Sequence, residues 1–383
     1  MADVLSSGSK VVPADQADIP THAPLIYDGW AESQGIPIYR SYAIEDAADV
    51  PLGWWAERQC NAAIIQLVGQ VGVSEAKLIE IPPGQTLAPS RMALDEVMFI
   101  LEGRGLTSVW AEEREKRTFE WAENSLFILP ANYFSQMSNA HGDRPALLLS
   151  FNNLPIAMSA AGHASLFFKN TYVDAGLLYG EEGSFYGEAI QLPSTRPGQE
   201  SYVWRGNFFP DLGVWDKLEN QAYRGGGQRV HLRFTGAPNW AHMSTFPPGT
   251  YKKAHRHGPG VLIIVLEGEG YSLLWPEKGA DMVLARWKKG SVFVPPNEWW
   301  HQHFNVGSAG ARYLALHGPS GLPGRGNWDA KLAESQIEFP DEDPQIRRRF
   351  EQEVERRGFH SLMPDRAYRD RDFEFSMGGG GSD

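Results

Sequence analysis

The sequence has little cysteine, a deficit of positive charge and no long apolar run. Cys60 is its single cysteine, so no internal disulfide can form, which favours a reducing compartment. Lysine and arginine number 35 against 47 acidic residues, a formal net charge of −12 that argues against nucleic acid as a partner. The polar first ten residues predict no signal peptide, and no apolar stretch approaches the roughly 20 residues of a membrane span. We therefore predict a cytoplasmic protein that binds neither nucleic acid nor membrane.

Histidine is the residue type that carries most information here. The chain has 383 residues, 42% of them hydrophobic, which is enough to bury two cores. Four of its 11 histidines form two His-x-His pairs, His255/His257 and His301/His303. Residues two apart on a β-strand face the same side, so the first pair can hold one metal ion and His301 can close on it from another strand. Imidazole suits Fe, Zn, Cu and Ni better than Mg or Ca.

Glycine, proline and asparagine flank both pairs at fixed spacings. They are Gly249 and the segment 266–270 around the first pair, and Gly290, Pro296 and Asn305 around the second. The two segments resemble the two sequence motifs of the cupin superfamily. That resemblance implies small jelly-roll barrels, a fold that removes exposed strand edges.

The sequence departs from these motifs at two places. Glu298 stands where the second motif usually has a glycine, which is a minor change in a loop. Val261 stands where the first motif carries a glutamate, and valine cannot ligate a metal ion. The resemblance therefore implies a three-histidine site, unless His303 supplies a fourth ligand.

The same spacing of glycine, proline and asparagine occurs earlier in the chain, without the histidines. Segments 82–84 and 101–105 match 247–249 and 266–270 at an offset of 165, and Pro130 and Asn139 match Pro296 and Asn305 at an offset of 166. A near-constant offset indicates an internal duplication and predicts two cupin barrels within residues 50–320. The histidine places of the first copy hold Ser90, Met92 and Ser135, with Glu96 at the carboxylate place. Because this set binds divalent ions poorly, we predict a metal-free first barrel.

We predict an all-β protein of two tandem jelly-roll barrels with an N-terminal arm and a C-terminal helix. The predicted segments are an arm (1–50), barrel 1 without metal ligands (51–155), a connecting region (156–225), barrel 2 with the metal site (226–320) and a C-terminal part (321–383). The arm could wrap a neighbouring subunit of a homo-oligomer. Asp343 and Pro344 predict the start of the helix and Gly358 its end, while the tail 377–383 is expected to be disordered.

Several polar residues close to the motifs have two interpretations. Arg229, His231 and Arg233 share one face of a predicted strand, which is either solvated or forms a cationic wall inside the barrel. His242 is interpreted as a core histidine on the next strand, sharing a face with Trp240.

Other residues near the predicted site are aromatic or cationic. The aromatic residues either line a pocket above the metal or fill the barrel with bulk; they are Tyr271, Trp275, Trp299 and Trp300. The cationic residues beside the first histidine pair are expected to face solvent; they are Lys252, Lys253 and Arg256.

A three-histidine site has consequences for chemistry. Three protein ligands leave open coordination positions, which are typical of a catalytic metal site. Neutral imidazoles leave the ion its full charge, which favours an anionic, chelating substrate such as a hydroxy-acid, a catecholate or an enolate. The arrangement is similar to the group of gentisate, salicylate and 1-hydroxy-2-naphthoate dioxygenases, which cleave aromatic rings with O2. In that group, however, the resemblance places the ligands in the first barrel.

The leading interpretation is an Fe(II) dioxygenase that takes O2 and a small anionic, aromatic or enolisable acid. His255, His257 and His301 hold one divalent ion per chain, and His303 is the catalytic acid–base residue or a fourth ligand. One alternative is a lyase, isomerase or hydrolase with Zn, Mn or Ni. Another is a non-catalytic binding or storage protein with two cupin domains. The sequence leaves the substrate and the metal open.

Overall fold

The computed structural model describes residues 9–180, 185–193, 202–220, 225–319 and 334–375. The N-terminal arm contains one short helix and three short strands. These are β1 (Val11–Pro13), α1 (Ile26–Ser33), β2 (Ile38–Ser41) and β3 (Ala43–Ile44). The arm therefore consists of ordered elements that pair with strands farther along the chain.

Barrel 1 is built from nine strands. They are β4 (Gly53–Trp55), β5 (Cys60–Leu67), β6 (Glu75–Ile81), β7 (Glu96–Glu102), β8 (Arg104–Trp110), β9 (Arg117–Ala122), β10 (Leu126–Leu129), β11 (Phe134–Asn139) and β12 (Ala146–Asn152). One sheet has the order β10-β7-β12-β6-β5, with β2 at its edge, and the other has the order β11-β8-β9. Isolated bridges at Thr86 and Ser90 extend the second sheet beyond β11. The strands are thus divided between two sheets, and the chain crosses repeatedly from one sheet to the other, as in a jelly roll.

The connecting region contains three short helices and four short strands. They are α2 (Leu154–Ala161), α3 (Ser165–Phe168), α4 (Ala175–Tyr179), β13 (Ile190–Pro193), β14 (Tyr202–Arg205), β15 (Phe208–Phe209) and β16 (Glu219–Asn220). Strand β15 pairs with β10 and so belongs to the sheet of barrel 1.

Barrel 2 repeats the strand order of barrel 1. Its strands are β17 (Gln228–Arg233), β18 (Trp240–Phe246), β19 (Ala254–His255), β20 (Leu262–Glu267), β21 (Gly270–Trp275), β22 (Met282–Trp287), β23 (Val292–Phe293), β24 (Trp300–Asn305) and β25 (Ala311–His317). The two sheets have the orders β17-β18-β25-β20-β23 and β19-β24-β21-β22. This topology confirms the predicted fold class of two jelly-roll barrels.

The arm joins barrel 2 of its own chain. Strand β1 runs parallel to β22, and β3 pairs antiparallel with β23. From the connecting region, β14 adds to the edge strand β17. Short strands from outside each barrel therefore cover edges that would otherwise expose unpaired backbone groups.

The C-terminal helix follows a short strand, β26 (Gln336–Ile337), and is α5 (Pro344–Arg356). The Asp343 side chain accepts a hydrogen bond from the Gln345 backbone N–H at 2.9 Å, and Gly358 has a positive φ of 79° just after the helix. Both signals were those expected, so the predicted helix is confirmed. Its apolar face packs against the outside of the sheet that contains β21 and β24. The predicted tail, 377–383, lies outside the described residues.

Within the described ranges, no helix combines the length and apolar character that a membrane crossing requires.

The two barrels share one apolar core. Alternate residues of β5, β6, β7 and β12 in barrel 1 pack against alternate residues of β17, β18, β20 and β25 in barrel 2. Ile65 and Leu78 on one side and Met243 and Leu314 on the other are completely or almost completely buried. The opposite faces of these strands line the interior of each barrel.

Backbone pairing repeats in the two barrels and so reveals their common origin. The bridge between Ser90 and Ser135 in barrel 1 corresponds to the pairing of His255 with His301 in barrel 2. The offsets are 165 and 166 residues, the values found from sequence punctuation. The two copies therefore have the same backbone pairing at the positions where barrel 2 has histidines.

A tightly packed glycine generates the first testable prediction. A Cβ atom at Gly270 would overlap the carbonyl oxygen of Phe304 and the indole of Trp287. Because both neighbours are buried, Gly270→Ala is expected to lower the free energy of unfolding by about 1–3 kcal/mol, measured by denaturant or thermal unfolding. Gly29→Ala is the control, since no atom lies within 4 Å of a Cβ in that helix. Equal stability of the two variants would contradict the predicted overlap.

Candidate metal centre

Three histidine side chains converge at one end of barrel 2. Strand pairing places His255 directly opposite His301, and His257 follows two residues later. The ring centroids of His255 and His257 lie 4.3 and 4.5 Å from that of His301. One nitrogen from each ring falls within 4.8 Å of the others. The residues that sequence reasoning selected as ligands are thus brought together.

Backbone carbonyl groups orient all three rings. Each Nδ1 forms a hydrogen bond to a nearby carbonyl oxygen: His255 to Lys253 at 3.0 Å, His257 to Gly258 at 2.9 Å and His301 to Trp299 at 3.0 Å. A carbonyl oxygen can only accept, so each Nδ1 carries the proton and each Nε2 keeps its lone pair. Such hydrogen bonds fix the tautomer that a metal-ligating imidazole needs.

The surroundings fit a first-row divalent ion bound by imidazole nitrogens. His255 and His301 are 7% and 1% exposed, so they approach an ion from inside the barrel. Val261, at the carboxylate place, is buried in an apolar cluster with Ile263 and Phe293. The donor set is therefore three neutral imidazoles, which suits Fe, Zn, Cu or Ni better than Mg or Ca.

His303 lies beside the three ligand candidates without joining them. Its ring centroid is 5.9 Å from His255 and 5.5 Å from His301, and the converging group in the described part of the chain does not include it. Its Nδ1 lies 2.8 Å from the hydroxyl of Ser272, which accepts a hydrogen bond from Trp287 Nε1 at 3.2 Å. His303 thus belongs to a hydrogen-bonded chain that leads away from the ligand candidates.

Two further histidines, His242 and His317, meet on the wall of barrel 2, a pairing that the sequence did not indicate. His242 Nδ1 and His317 Nε2 are 2.8 Å apart, and the His317 ring stacks on Trp240 at 3.7 Å. Burial lowers the pKa of His242 well below its usual value, and Arg229, His231 and Lys252 lower it further. The alternation of apolar and polar residues along β18 and β25 could have indicated this pairing. It shows which face lines the barrel interior, however, only once the other face is known to pack against barrel 1.

The expectation that Lys252 and Lys253 face solvent is wrong. They are 3% and 5% exposed. The Lys252 ammonium donates to the Tyr313 hydroxyl at 3.0 Å inside barrel 2, and Lys253 pairs with Glu338 at 2.5 Å. The sequence around the first histidine pair does not show that the C-terminal segment folds back over this strand.

The alternatives left open for the neighbouring residues are now distinguished. The His231 ring lies 6.2 Å from the His242 ring, and Arg233 lies over Trp240 at 4.4 Å. This face of β17 therefore points toward His242 and Trp240 on β18. Tyr271 and Trp275 pack outward, in the cluster beneath α5, and do not line a pocket above the histidines. These two aromatic residues therefore fill the space between the sheet and α5, as in the second of the two interpretations.

The corresponding place in barrel 1 holds a different set of groups. Ser90 and Ser135 exchange backbone hydrogen bonds of 3.0 and 2.8 Å, while Glu96 lies 3.7 Å from the ammonium of Lys77. In the described part of barrel 1, no group of three potential ligand side chains converges.

Comparisons with known proteins give structural similarity only. No protein-family model and no curated protein matches the sequence. Solved structures that match include Bacillus subtilis oxalate decarboxylase, at 12% identity over 73% of this chain and 77% of that chain, with a TM-score of 0.46. A formate complex of Lactobacillus farciminis oxalate decarboxylase has 13% identity over 78% and 87%, and a TM-score of 0.47. Vicilin from hazelnut, Corylus avellana, has 12% identity over 81% and 96%, and a TM-score of 0.44.

At these identities and TM-scores we take no function, substrate or metal from the matched structures. The strand order by itself defines the fold, which is that of two tandem jelly-roll barrels.

Metal analysis provides the second testable prediction. Wild-type protein should bind one divalent ion per chain, and His301→Ala should lose most of it, because two imidazoles cannot replace three. Ser135→Ala is the matched control, since Ser135 is the counterpart of His301 in barrel 1. Elemental analysis after gentle purification gives the stoichiometry. Two ions per chain, or a loss of metal in Ser135→Ala, would contradict the assignment.

A buried carboxyl group behind the centre generates the third prediction. Burial raises the pKa of Glu342 to about 7, although Tyr251 and Gln302 donate hydrogen bonds to it. Below the ordinary carboxyl pKa of 4.5 the group is protonated in both folded and unfolded protein. As the pH rises to about 7, the unfolded chain ionises more readily than the folded one, so this group progressively lowers stability.

Glu342→Gln should therefore lack part of the decrease in unfolding free energy between pH 4.5 and about 7. Denaturant unfolding at several pH values measures this difference. Glu355→Gln, at an exposed position of α5, is the control and should follow wild type. An identical pH dependence in wild type and Glu342→Gln would show that Glu342 ionises normally.

Proposed function

We propose that the protein is a metal-dependent enzyme that acts on a small anionic substrate. His255, His257 and His301 would hold one divalent ion. The observation that supports this most directly is the convergence of three imidazole nitrogens whose tautomers are fixed by backbone carbonyl groups. When bound, the ion would act as a Lewis acid that polarises an oxygen of the substrate, or as the redox partner of O2 if it is Fe(II). Both the cytoplasmic location and a homo-oligomeric state remain predictions.

The charge of the barrel interior favours an anionic substrate. The ammonium of Lys252 is buried beside Tyr313, and both Arg229 and Lys252 act on His242 strongly enough to lower its pKa. A carboxylate that enters this interior would meet a cationic environment of low dielectric, where such attraction is stronger than in water.

His303 is suited to hold a proton close to the ligand histidines. The indole of Trp287 can only donate, so Ser272 accepts from it and can place its own proton on His303 Nδ1. The proton of the neutral His303 ring then resides on Nε2. From there it can be given to a substrate atom, which is the role of a general acid.

The reaction class that these groups favour is proton transfer, as in a lyase, isomerase or hydrolase. His303 offers a proton, and His242, whose pKa is lowered by burial and whose Nδ1 lies 2.8 Å from His317 Nε2, offers a base on the barrel wall. The second candidate is the Fe(II) dioxygenase predicted from the sequence. The apolar cluster that includes Val261, Ile263 and Phe293 favours it, because an aromatic or enolisable skeleton would pack well there.

The test of this function is the fourth prediction. Metal-loaded protein is assayed with a panel of hydroxy-acids, aromatic acids and diketones, following product formation and O2 consumption together. A substrate turned over without O2 uptake would identify the proton-transfer class, and stoichiometric O2 uptake would identify the dioxygenase. On the substrate found, His303→Gln should retain metal and lose about 10²–10⁴-fold of the turnover, the usual contribution of a general acid–base.

The matched control is Met137→Leu. Met137 pairs with Thr107 in barrel 1, as His303 pairs with Ser272 in barrel 2. This variant should keep full activity. Undiminished turnover in His303→Gln would show that His303 only packs, and absence of turnover throughout the panel from the metal-loaded protein would favour a non-catalytic binding role.

A further inference from the structure

Barrel 1 contains a buried arginine whose side chain has no direct hydrogen-bond or ion-pair partner among the described residues. Arg58 lies in the turn between β4 and β5 and is only 7% exposed. Its Nε is buried without a hydrogen-bond partner, and the guanidinium forms no hydrogen bond or ion pair with any described residue. Leaving a buried guanidinium uncompensated is costly, since desolvation of a charge is normally offset by an opposite charge.

Groups of barrel 1 lie close enough to Arg58 to interact with its charge. Glu96 is the carboxylate that acts most strongly on it, and Cys60, in the interior of barrel 1, is also close enough to affect it. Glu96 occupies the place that corresponds to Val261 of barrel 2. The Arg58 carbonyl accepts a hydrogen bond of 3.4 Å from Ala88 N–H, two residues before Ser90. Arg58 therefore belongs to the part of barrel 1 that matches the candidate metal centre.

The carboxylates already present in this place are engaged by other groups. Glu75 pairs with Lys77 and accepts hydrogen bonds from Tyr27 at 2.7 Å and Asn152 at 2.9 Å. Glu96 lies 3.7 Å from the same Lys77 ammonium. Its side chain is 23% exposed, so the place communicates with solvent. An anion that enters from solvent could reach Arg58 without displacing an existing pair.

We propose that barrel 1 binds a small monocarboxylate at Arg58, at the place where barrel 2 has its candidate metal centre. A planar guanidinium matches the two oxygens of a carboxylate in a bidentate geometry. A singly charged ligand is favoured because a dianion would be repelled by the nearby Glu75 and Glu96. The two duplicated sites thus bind different partners, a cation in one and an anion in the other.

The probe is acetate, tested on the full-length, metal-loaded protein. Melting temperature is measured over increasing sodium acetate and compared with sodium chloride at the same ionic strength. Wild type should gain about 2–4 °C in acetate beyond the chloride series. Arg58→Met should show no such gain. In chloride it should melt at the wild-type temperature or above, because an unpartnered buried charge has been removed.

Arg91→Met is the matched control, as it removes the same charge at the residue after Ser90, where the side chain lies over Phe134. It should respond to acetate as wild type does. Arg58→Lys keeps the charge but loses the planar fork, so its half-maximal acetate concentration should be roughly tenfold higher, and it serves if Arg58→Met does not fold. Equal acetate responses in wild type and Arg58→Lys, or in wild type and Arg58→Met, would overturn the proposal. So would a wild-type melting temperature that is the same in acetate and chloride.

Discussion

The apolar core between the two barrels determines which side chains enter the barrel interiors. On β17, β18 and β25 the residues that face this core include Leu232, Met243 and Leu314, all completely buried. Because side chains alternate along a strand, the residues between them must face the interior of barrel 2. A shift of register by one residue would place apolar side chains in the interior and histidines between the barrels. The position of His242 and His317 is thus a consequence of packing against barrel 1.

The two barrels share several structural hydrogen bonds but differ in the side chains that line their interiors. The Trp121 indole donates to Thr107 at 3.0 Å, as the Trp287 indole donates to Ser272 at 3.2 Å. Asn139 and Asn305 each donate to three backbone carbonyls at equivalent turns. These contacts stabilise backbone that both copies share. Equivalent interior positions differ, as at Met137 of barrel 1 and His303 of barrel 2.

How far the sequence could be interpreted depended on whether a signal was local. The fold class, the C-terminal helix and the convergence of His255, His257 and His301 follow from spacing and capping within short segments, and all could be predicted. The burial of Lys252 and Lys253 could not, because Lys252 contacts Tyr313 inside barrel 2 and Lys253 pairs with Glu338 of the C-terminal segment, both far away in sequence. Nor could the pairing of His242 with His317, since those residues are far apart in sequence and meet only through the pairing of β18 with β25.

The candidate metal centre and the barrel wall consequently depend on different parts of the molecule. Each ligand histidine is oriented by a carbonyl one or two residues away on its own chain segment, so the orientation of the three rings is a local property. The His242–His317 pair is held by strands whose opposite faces pack on barrel 1. A perturbation of the core between the barrels should therefore displace His242 and His317 but leave the ring orientations of the three ligand candidates unchanged. On this argument barrel 1 helps to position the side chains that lie beside the candidate metal centre of barrel 2.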